Sequence, residues 1–400
     1  MHQDFPESRL QQLLPELIAF RRDLHAHPET AFQERRTAAK IAEWLGRLPG
    51  MTLRTGVAET GIVATLAADK PGPCLAFRTD MDALPMEDRC GQPHASTHPG
   101  VAHACGHDGH VACLLGAATL MAAEPERLAG PVRFLFQPAE EGGGGARVMI
   151  EQGALEDPRP VAIFGLHGWP SLPAGTVGLR SGPVMASTDN IDLTVHGRGA
   201  HAAYPNRGVD PIVAAAHIVT ALQTVVSRHR DPLEPAVVTI GSFHAGTARN
   251  IIPDTAELHG TLRTLSEKQR RASRAAIRQV VEQTAAAFGA RAELQLEEGY
   301  PVNVNDPGIK AYVERVAVEQ LGRERVVDGI PVSMGGEDFA YYVQQVPGCF
   351  WRLGVAPADG SPGVESLHNA CFDFNDEAIG TGVRVHCGVA WSWTRKGQLC

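Results

Sequence analysis

Four short runs in this 400-residue chain carry side chains that can bind divalent metals or move protons. They are CGHDGH (105–110), QPAEEGGGG (137–145), GLH (165–167) and SLHN (366–369). Cys105 and His107 are two apart, so on an extended segment they point to one side. Gly106 between them lets the backbone turn tightly. A thiolate beside an imidazole suits a borderline-soft divalent ion; the same pair also fits a buried cysteine next to an Asp108 that caps a helix. Glu140 and Glu141 follow an apolar run and precede four glycines. Adjacent carboxylates at a strand end face different directions, so one can bind a metal while the other takes a proton from an activated water. A solvated acidic turn is the plainer alternative, and the apolar VRFLFQPA before the pair argues against it. His167 closes VAIFGLH, which is apolar throughout, and His368 sits in a Leu-His-Asn loop. Either histidine alone reads as structural. Together with Cys105, His107 and the glutamates, at successive strand ends where open α/β sheets build their sites, they read as one metal centre.

Two further sets of residues could support such a centre. RTDMDALPM (78–86) places Asp80 and Asp82 after a buried strand. Metal-bound histidines donate their other ring N–H to a carboxylate, and Asp80 is the residue expected in that supporting role. Farther along, GRGAHAAYP (197–205), ARNIIP (248–253) and GTLR (260–263) bring His201, Asn250 and Arg263 to predicted strand ends. A histidine and an asparagine can stabilise an oxyanion, and an arginine fork suits a carboxylate. Each of the three is also compatible with an ordinary structural role.

The elements that must position these residues alternate between strand and helix. Helices are expected over 14–28, 34–48, 108–126 and 146–154, with strands at 61–67, 73–80, 131–139 and 161–167. That alternation predicts an α/β layer architecture with a mixed sheet flanked by helices. From Asp189 the order becomes strand, helix, two strands, helix, strand, the ferredoxin-like βαββαβ arrangement. The α/β pattern resumes after Tyr300, with helices near 308–321 and from about Asn375. The expected organisation is a discontinuous catalytic domain, 1–187 and 301–400, with an inserted satellite domain at 188–300.

Composition narrows the function class. The chain is 44% apolar and 20% charged, with a formal charge of −9 and no basic stripe. That argues against disorder and against nucleic acid or an anionic membrane as the main partner. The start, MHQDFPESRLQQLL, lacks a basic segment followed by an apolar one, and the apolar run 111–123 is too short to span a bilayer. A cytoplasmic location is expected. The eight cysteines, at 74, 90, 105, 113, 349, 371, 387 and 400, form no CxxC pair and are too sparse for a disulfide scaffold. Apart from Cys105 they read mostly as small buried residues.

Taken in order, RTDMDALPM, HACGHDGH, QPAEEGGGGA, GLH, GAHAAYP, ARNIIP, MGGEDFAYY and LHN resemble the M20 metallopeptidases. The similarity runs from about Phe20 to Trp393 and is greatest to the amidohydrolase branch, which includes hippurate hydrolase, N-acyl-amino-acid amidohydrolases and plant auxin-conjugate hydrolases. The resemblance implies two divalent metal ions held by Cys105, His107, Glu141, His167 and His368, with Glu140 as general base. It implies that His201 reaches an active site, in some members from another subunit, and that Asn250 and Arg263 bind the carboxylate end of the substrate. It also implies a homodimer, or a homotetramer, formed through the satellite domain. Arg78-Thr79-Asp80 stands where the peptidase branches carry a His-x-Asp metal motif, and Cys105 takes the place of the missing ligand. A thiolate favours zinc, whereas this branch is associated with manganese.

The expectation is therefore a metal-dependent amidohydrolase cleaving N-acyl amino acids of the hippurate type. Gly335, Gly336, Glu337 and Asp338 are expected to line its pocket. Three alternatives stay open: a dipeptidase or carboxypeptidase, an N-acetyl-diaminopimelate deacetylase, or a metal-stabilised binding protein without catalysis. The roles of His103 and His110 are open between helix packing and support of the ligands.

Overall fold

A computed structural model describes residues 5–357 and 366–393. The backbone separates into two compact units. One comprises Met1–Gly182, Val304–Pro331 and Tyr341–Cys400; the other comprises Pro183–Asn303 and Val332–Ala340. The second unit thus begins at Pro183 rather than 188, and it takes in Val332–Ala340, which the sequence division placed in the second catalytic piece.

The first unit is built on an eight-stranded mixed sheet. Its strand order is Met51–Val57, Gly61–Leu66, Val132–Gln137, Cys74–Asp80, Pro160–Pro173, Gly348–Ala356, Val177–Leu179, Val326–Asp328. The four strands from Val132–Gln137 to Gly348–Ala356 run parallel. Sequences such as VRFLFQ and CLAFRTD are buried at every position, as expected for parallel strands covered on both faces. Phe77, Phe134, Phe164 and Trp351 join the core beneath the helix His107–Ala123, which packs against Glu7–Ala26 and Glu377–Ser392. That central helix is buried nearly all round, so it has no polar face to show an amphipathic period.

Several elements differ from expectation. The first helix starts at Glu7 and runs through Pro15, because Leu10 and Leu17 are both buried and anchor it on either side of the proline. The strand Met51–Val57 has no sequence expectation behind it; its half-exposed, mostly polar pattern carries little signal. The strand expected to close at His167 continues to Pro173, because it stays paired with Gly348–Ala356 along that length. His167 therefore lies inside a strand rather than at its end.

The second unit has the βαββαβ order. Its antiparallel sheet runs Ala236–Ala245, Thr255–Thr264, Ser187–His196, Arg291–Glu298. The helices Pro211–Ser227 and Glu267–Ala287 pack on each other and on the sheet, closing a separate core around Leu193, Ile218, Leu258 and Ile277. Each helix has a side-chain cap: Asp210 accepts from the amides of Ile212 and Val213, and Ser266 from Gln269. Among the described residues no helix is long and apolar enough to cross a membrane.

Candidate metal centre

All five expected ligands lie in the first unit and come together there. Cys105, His107 and His167 bring donor atoms within 4.8 Å of one another; so do Cys105, Glu141 and His368, and so do His107, Glu140 and Glu141. Cys105 is thus common to two groups of three. Its Sγ lies 3.4 Å from His167 Nε2, and His368 Nε2 lies 3.1 Å from Glu141 Oε1. Gly106 makes the approach possible. It precedes the helix His107–Ala123 at φ 85°, where a Cβ would also lie 3.0 Å from the Phe374 ring. Ala139 and His368 hold left-handed backbone without being glycine, at φ 55° and 61°. Such strain persists only where surrounding contacts impose it. Here the Ala139 amide donates to Glu34 Oε1 at 2.9 Å, and the His368 amide to the Ala104 carbonyl at 2.8 Å.

The supporting hydrogen bonds leave ring nitrogens available for a metal. His167 Nδ1 donates to the Gly168 carbonyl at 2.8 Å, so Nε2 keeps its lone pair facing Cys105. His107 Nδ1 lies 3.2 Å from Asp82 Oδ1, and its Nε2 is buried with no hydrogen-bond partner among the described residues. An orphaned imidazole nitrogen amid a thiol and carboxylates is what a divalent cation would satisfy. Asp80, expected to support a ligand, instead accepts from His110 Nδ1 at 2.7 Å and pairs with Arg78 at 2.8 Å; its Oδ2 is 3.8 Å from His107 Nε2. His110 Nε2 in turn accepts the Gly168 amide at 2.7 Å, tying the start of the helix to the strand that carries His167.

The electrostatics also call for a cation. Burial opposes charge on His107, but Asp80, Asp82 and Glu141 outweigh it and push its pKa up to about 10. Burial, then Glu141 and Glu140, drive the Cys105 thiol well above its ordinary value, so a thiolate there needs a metal to stabilise it. Burial and the neighbouring His110 hold His167 well below the usual imidazole range, neutral and able to coordinate.

Behind these residues is a buried brace that the sequence reading did not find. Asp108 pairs with Arg21 at 2.7 Å and with His25 at 2.9 Å, fixing the first turn of the His107 helix to the helix Glu7–Ala26. Glu34 takes the Ala139 amide on one oxygen and the Thr60 hydroxyl on the other. Arg21 and His25 carry no pattern signal, and Glu34 reads only as a surface acid in FQERR. Asp82, which follows the same strand as Asp80, is the carboxylate that meets His107. His103 is buried with neither ring nitrogen hydrogen-bonded among the described residues.

His201, Asn250 and Arg263 lie in the second unit. His201 pairs with Ile251, and the Ala202 amide donates to the Asn250 carbonyl, which brings those two expected residues side by side. The Ala203 amide donates to His201 Nδ1 at 3.1 Å, leaving the ring proton on Nε2. Arg263 is half-buried on the strand Thr255–Thr264, and a Cβ on Gly336 would stand 3.4 Å from its Nη1. Glu337 accepts the Phe339 amide and Asp338 is buried. Of the cysteines, seven are free thiols, five of them buried, and Cys400 lies outside the described residues.

Comparison with known proteins gives the family. Residues 76–392 match the model of peptidase family M20/M25/M40. The chain is 41% identical to the N-acetyl-L-cysteine deacetylase of Bacillus subtilis over 92% of its own length and 86% of that protein's. It is 39% identical to the N-acetyldiaminopimelate deacetylase of Bacillus velezensis, over 93% and 97%. The crystal structure of Bacillus subtilis YXEP, described as a dinuclear metal binding peptidase from the M20 family, superposes with a TM-score of 0.81 at 37% identity, covering 95% of this chain and 98% of that one. With the candidate ligands gathered in one cluster and the family model matching most of the chain, this chain belongs to peptidase family M20/M25/M40 and is a metal-dependent amidohydrolase.

Proposed function

We propose that the chain hydrolyses the amide bond between an acyl group and an amino acid, with small substrates such as hippurate and N-acetyl amino acids, using two divalent ions, zinc or manganese. The observation that carries this reading is the orphaned His107 Nε2 within a cluster of one thiol, three imidazoles and two adjacent carboxylates. Cys105, His107, Glu141, His167 and His368 would hold the ions. Metal bound there supplies Lewis acidity, acidifying a water and polarising the amide carbonyl.

Glu140 is the general base. It takes the proton of the attacking water and passes it to the leaving amine. His201, with its ring proton on Nε2, donates to the oxyanion as the carbonyl becomes tetrahedral. Arg263 and Asn250 hold the carboxylate of the amino-acid half. A homodimer through the second unit accords with the apolar side chains exposed there, including Tyr204, Val213, Phe243 and Ile251. The relative named N-acetyldiaminopimelate deacetylase keeps that acylated diamino acid as a second candidate substrate.

The test is metal analysis of repleted protein coupled to hydrolysis assays with and without chelator. The substrates are hippurate, N-acetyl amino acids, N-acetyl-diaminopimelate and unblocked dipeptides. Near two metals per chain and chelator-sensitive release of amino acid from acyl substrates are expected. Turnover confined to dipeptides, or none after repletion, rejects the proposal.

A further inference from the structure

Arg352 lies on the strand Gly348–Ala356, in register with His167 on the neighbouring parallel strand. It is 3% exposed. Its guanidinium carbon sits 3.6 Å from the centroid of the Trp169 ring, and that ring is 6.0 Å from the ring of His167. Nε and Nη2 of Arg352 are buried, and neither has a hydrogen-bond partner among the described residues. These two nitrogens present parallel N–H groups along one edge of the guanidinium, the pair that meets both oxygens of a carboxylate. No acidic side chain among the described residues forms an ion pair with Arg352. Burial and the like charge of Arg180 bring its pKa down only to about 10, so it is charged at neutral pH. A buried cation with no counter-charge is strongly unfavourable unless something supplies one. Trp169 covers a face of the guanidinium, and the Nε–Nη2 edge is the part left without a partner among the described residues.

We propose that the Nε–Nη2 edge of Arg352 is a carboxylate-binding site one aromatic ring away from the metal centre. Two sources fit this chemistry: a carboxylate carried by the substrate, or a free carboxylic acid such as the acyl product of hydrolysis. Both rest on the amidohydrolase reading above; binding of a free acid can also be measured without turnover.

The test compares metal-loaded wild type with Arg352→Met and Arg352→Lys at fixed ionic strength. The first arm follows Tm as acetate or benzoate replaces chloride. Carboxylates on the metals raise Tm in all three proteins, and the additional rise in wild type is expected to vanish in Arg352→Met. The second arm measures kcat, KM and inhibition by acetate on N-acetyl amino acids with neutral and acidic side chains. A substrate-borne carboxylate predicts a KM at least tenfold higher for the acidic substrates alone, with kcat little changed. A product acid predicts an acetate inhibition constant at least tenfold weaker at unchanged KM. Arg352→Lys keeps the charge without the fork and is expected to fall between the two. The proposal is overturned if folded, metal-loaded Arg352→Met matches wild type in the Tm response, KM and acetate inhibition. If that variant does not fold, the same match in Arg352→Lys overturns it. A wild type that cleaves no acyl substrate defeats the proposed function, while the Tm arm still decides on Arg352.

Discussion

Asp82 grips His107 from behind: its Oδ1 lies 3.2 Å from His107 Nδ1, while its Oδ2 accepts the Glu141 amide at 2.9 Å. One carboxylate therefore fixes the ring of one candidate ligand and the backbone of another. Outer partners of this kind set the tautomer of a metal-binding imidazole and add about 10- to 100-fold to metal affinity. Asp82→Asn can offer N–H where the imidazole needs an acceptor. Metal affinity is expected to fall about 10- to 100-fold, read by competition with a chromogenic chelator. Unchanged affinity would mean that Asp82 serves the Glu141 turn alone.

Glu140→Gln separates the base from the ligands. The two side chains are nearly isosteric, and Glu140 is not among the five expected metal contacts. Metal content is expected to hold while kcat drops by about 100- to 10,000-fold, the range for removing a positioned base. Loss of metal along with activity would instead make Glu140 a ligand and return the choice of base to Glu141.

The sheet and the clustering of metal-capable side chains were legible in the sequence because both rest on local pattern. Buried parallel strands leave uninterrupted apolar runs, and metal-capable side chains stand out when they end those runs. The βαββαβ unit was equally readable, with Asp210 and Ser266 marking its helix starts. What escaped depends on distant partners. Arg21 and His25 matter because Asp108 lies against them, and nothing in their own segment says so. Asp80, expected to support a ligand, meets His110, while Asp82 meets His107. Asp80 and Asp82 leave the same strand, and only the packing of His107 and His110 decides which carboxylate each ring meets. The membership of Val332–Ala340 in the second unit likewise follows from packing rather than chain order.

Glu34 gives the fold a pH dependence with a definite sign. It is fully buried, and that burial raises its pKa to about 7, against the hydrogen bonds it accepts from Thr60 and Ala139. A carboxyl whose pKa is higher folded than unfolded stabilises the fold fully below its unfolded value near 4.5, and that contribution is lost as pH rises through 7. The shift corresponds to about 3 kcal/mol. Glu34→Gln, neutral throughout, lacks this loss. Urea unfolding of the metal-loaded proteins at pH 5 and pH 8 is expected to show wild type losing about 2.5 kcal/mol more than the variant. Parallel stabilities across that range would show that Glu34 is not the group responsible.

Gly109 sets helix propensity against packing at the metal centre. In an ordinary helix interior, Gly→Ala adds about 1 kcal/mol of stability. Here a Cβ would lie 2.4 Å from the Phe374 ring, well inside contact distance, and Phe374 is itself 1% exposed with little room to yield. Overpacking of this kind costs about 1 to 3 kcal/mol, so packing outweighs propensity. Gly109 is two residues from His107, and Phe374 also packs on His110 with ring centroids 6.0 Å apart. Displacing Phe374 disturbs the bond from His110 to the Gly168 amide as well as the core. Gly109→Ala is expected to lower the urea midpoint at unchanged slope and to weaken metal binding in parallel. A gain in stability would mean that the Phe374 ring can move aside and that His107 does not depend on its position.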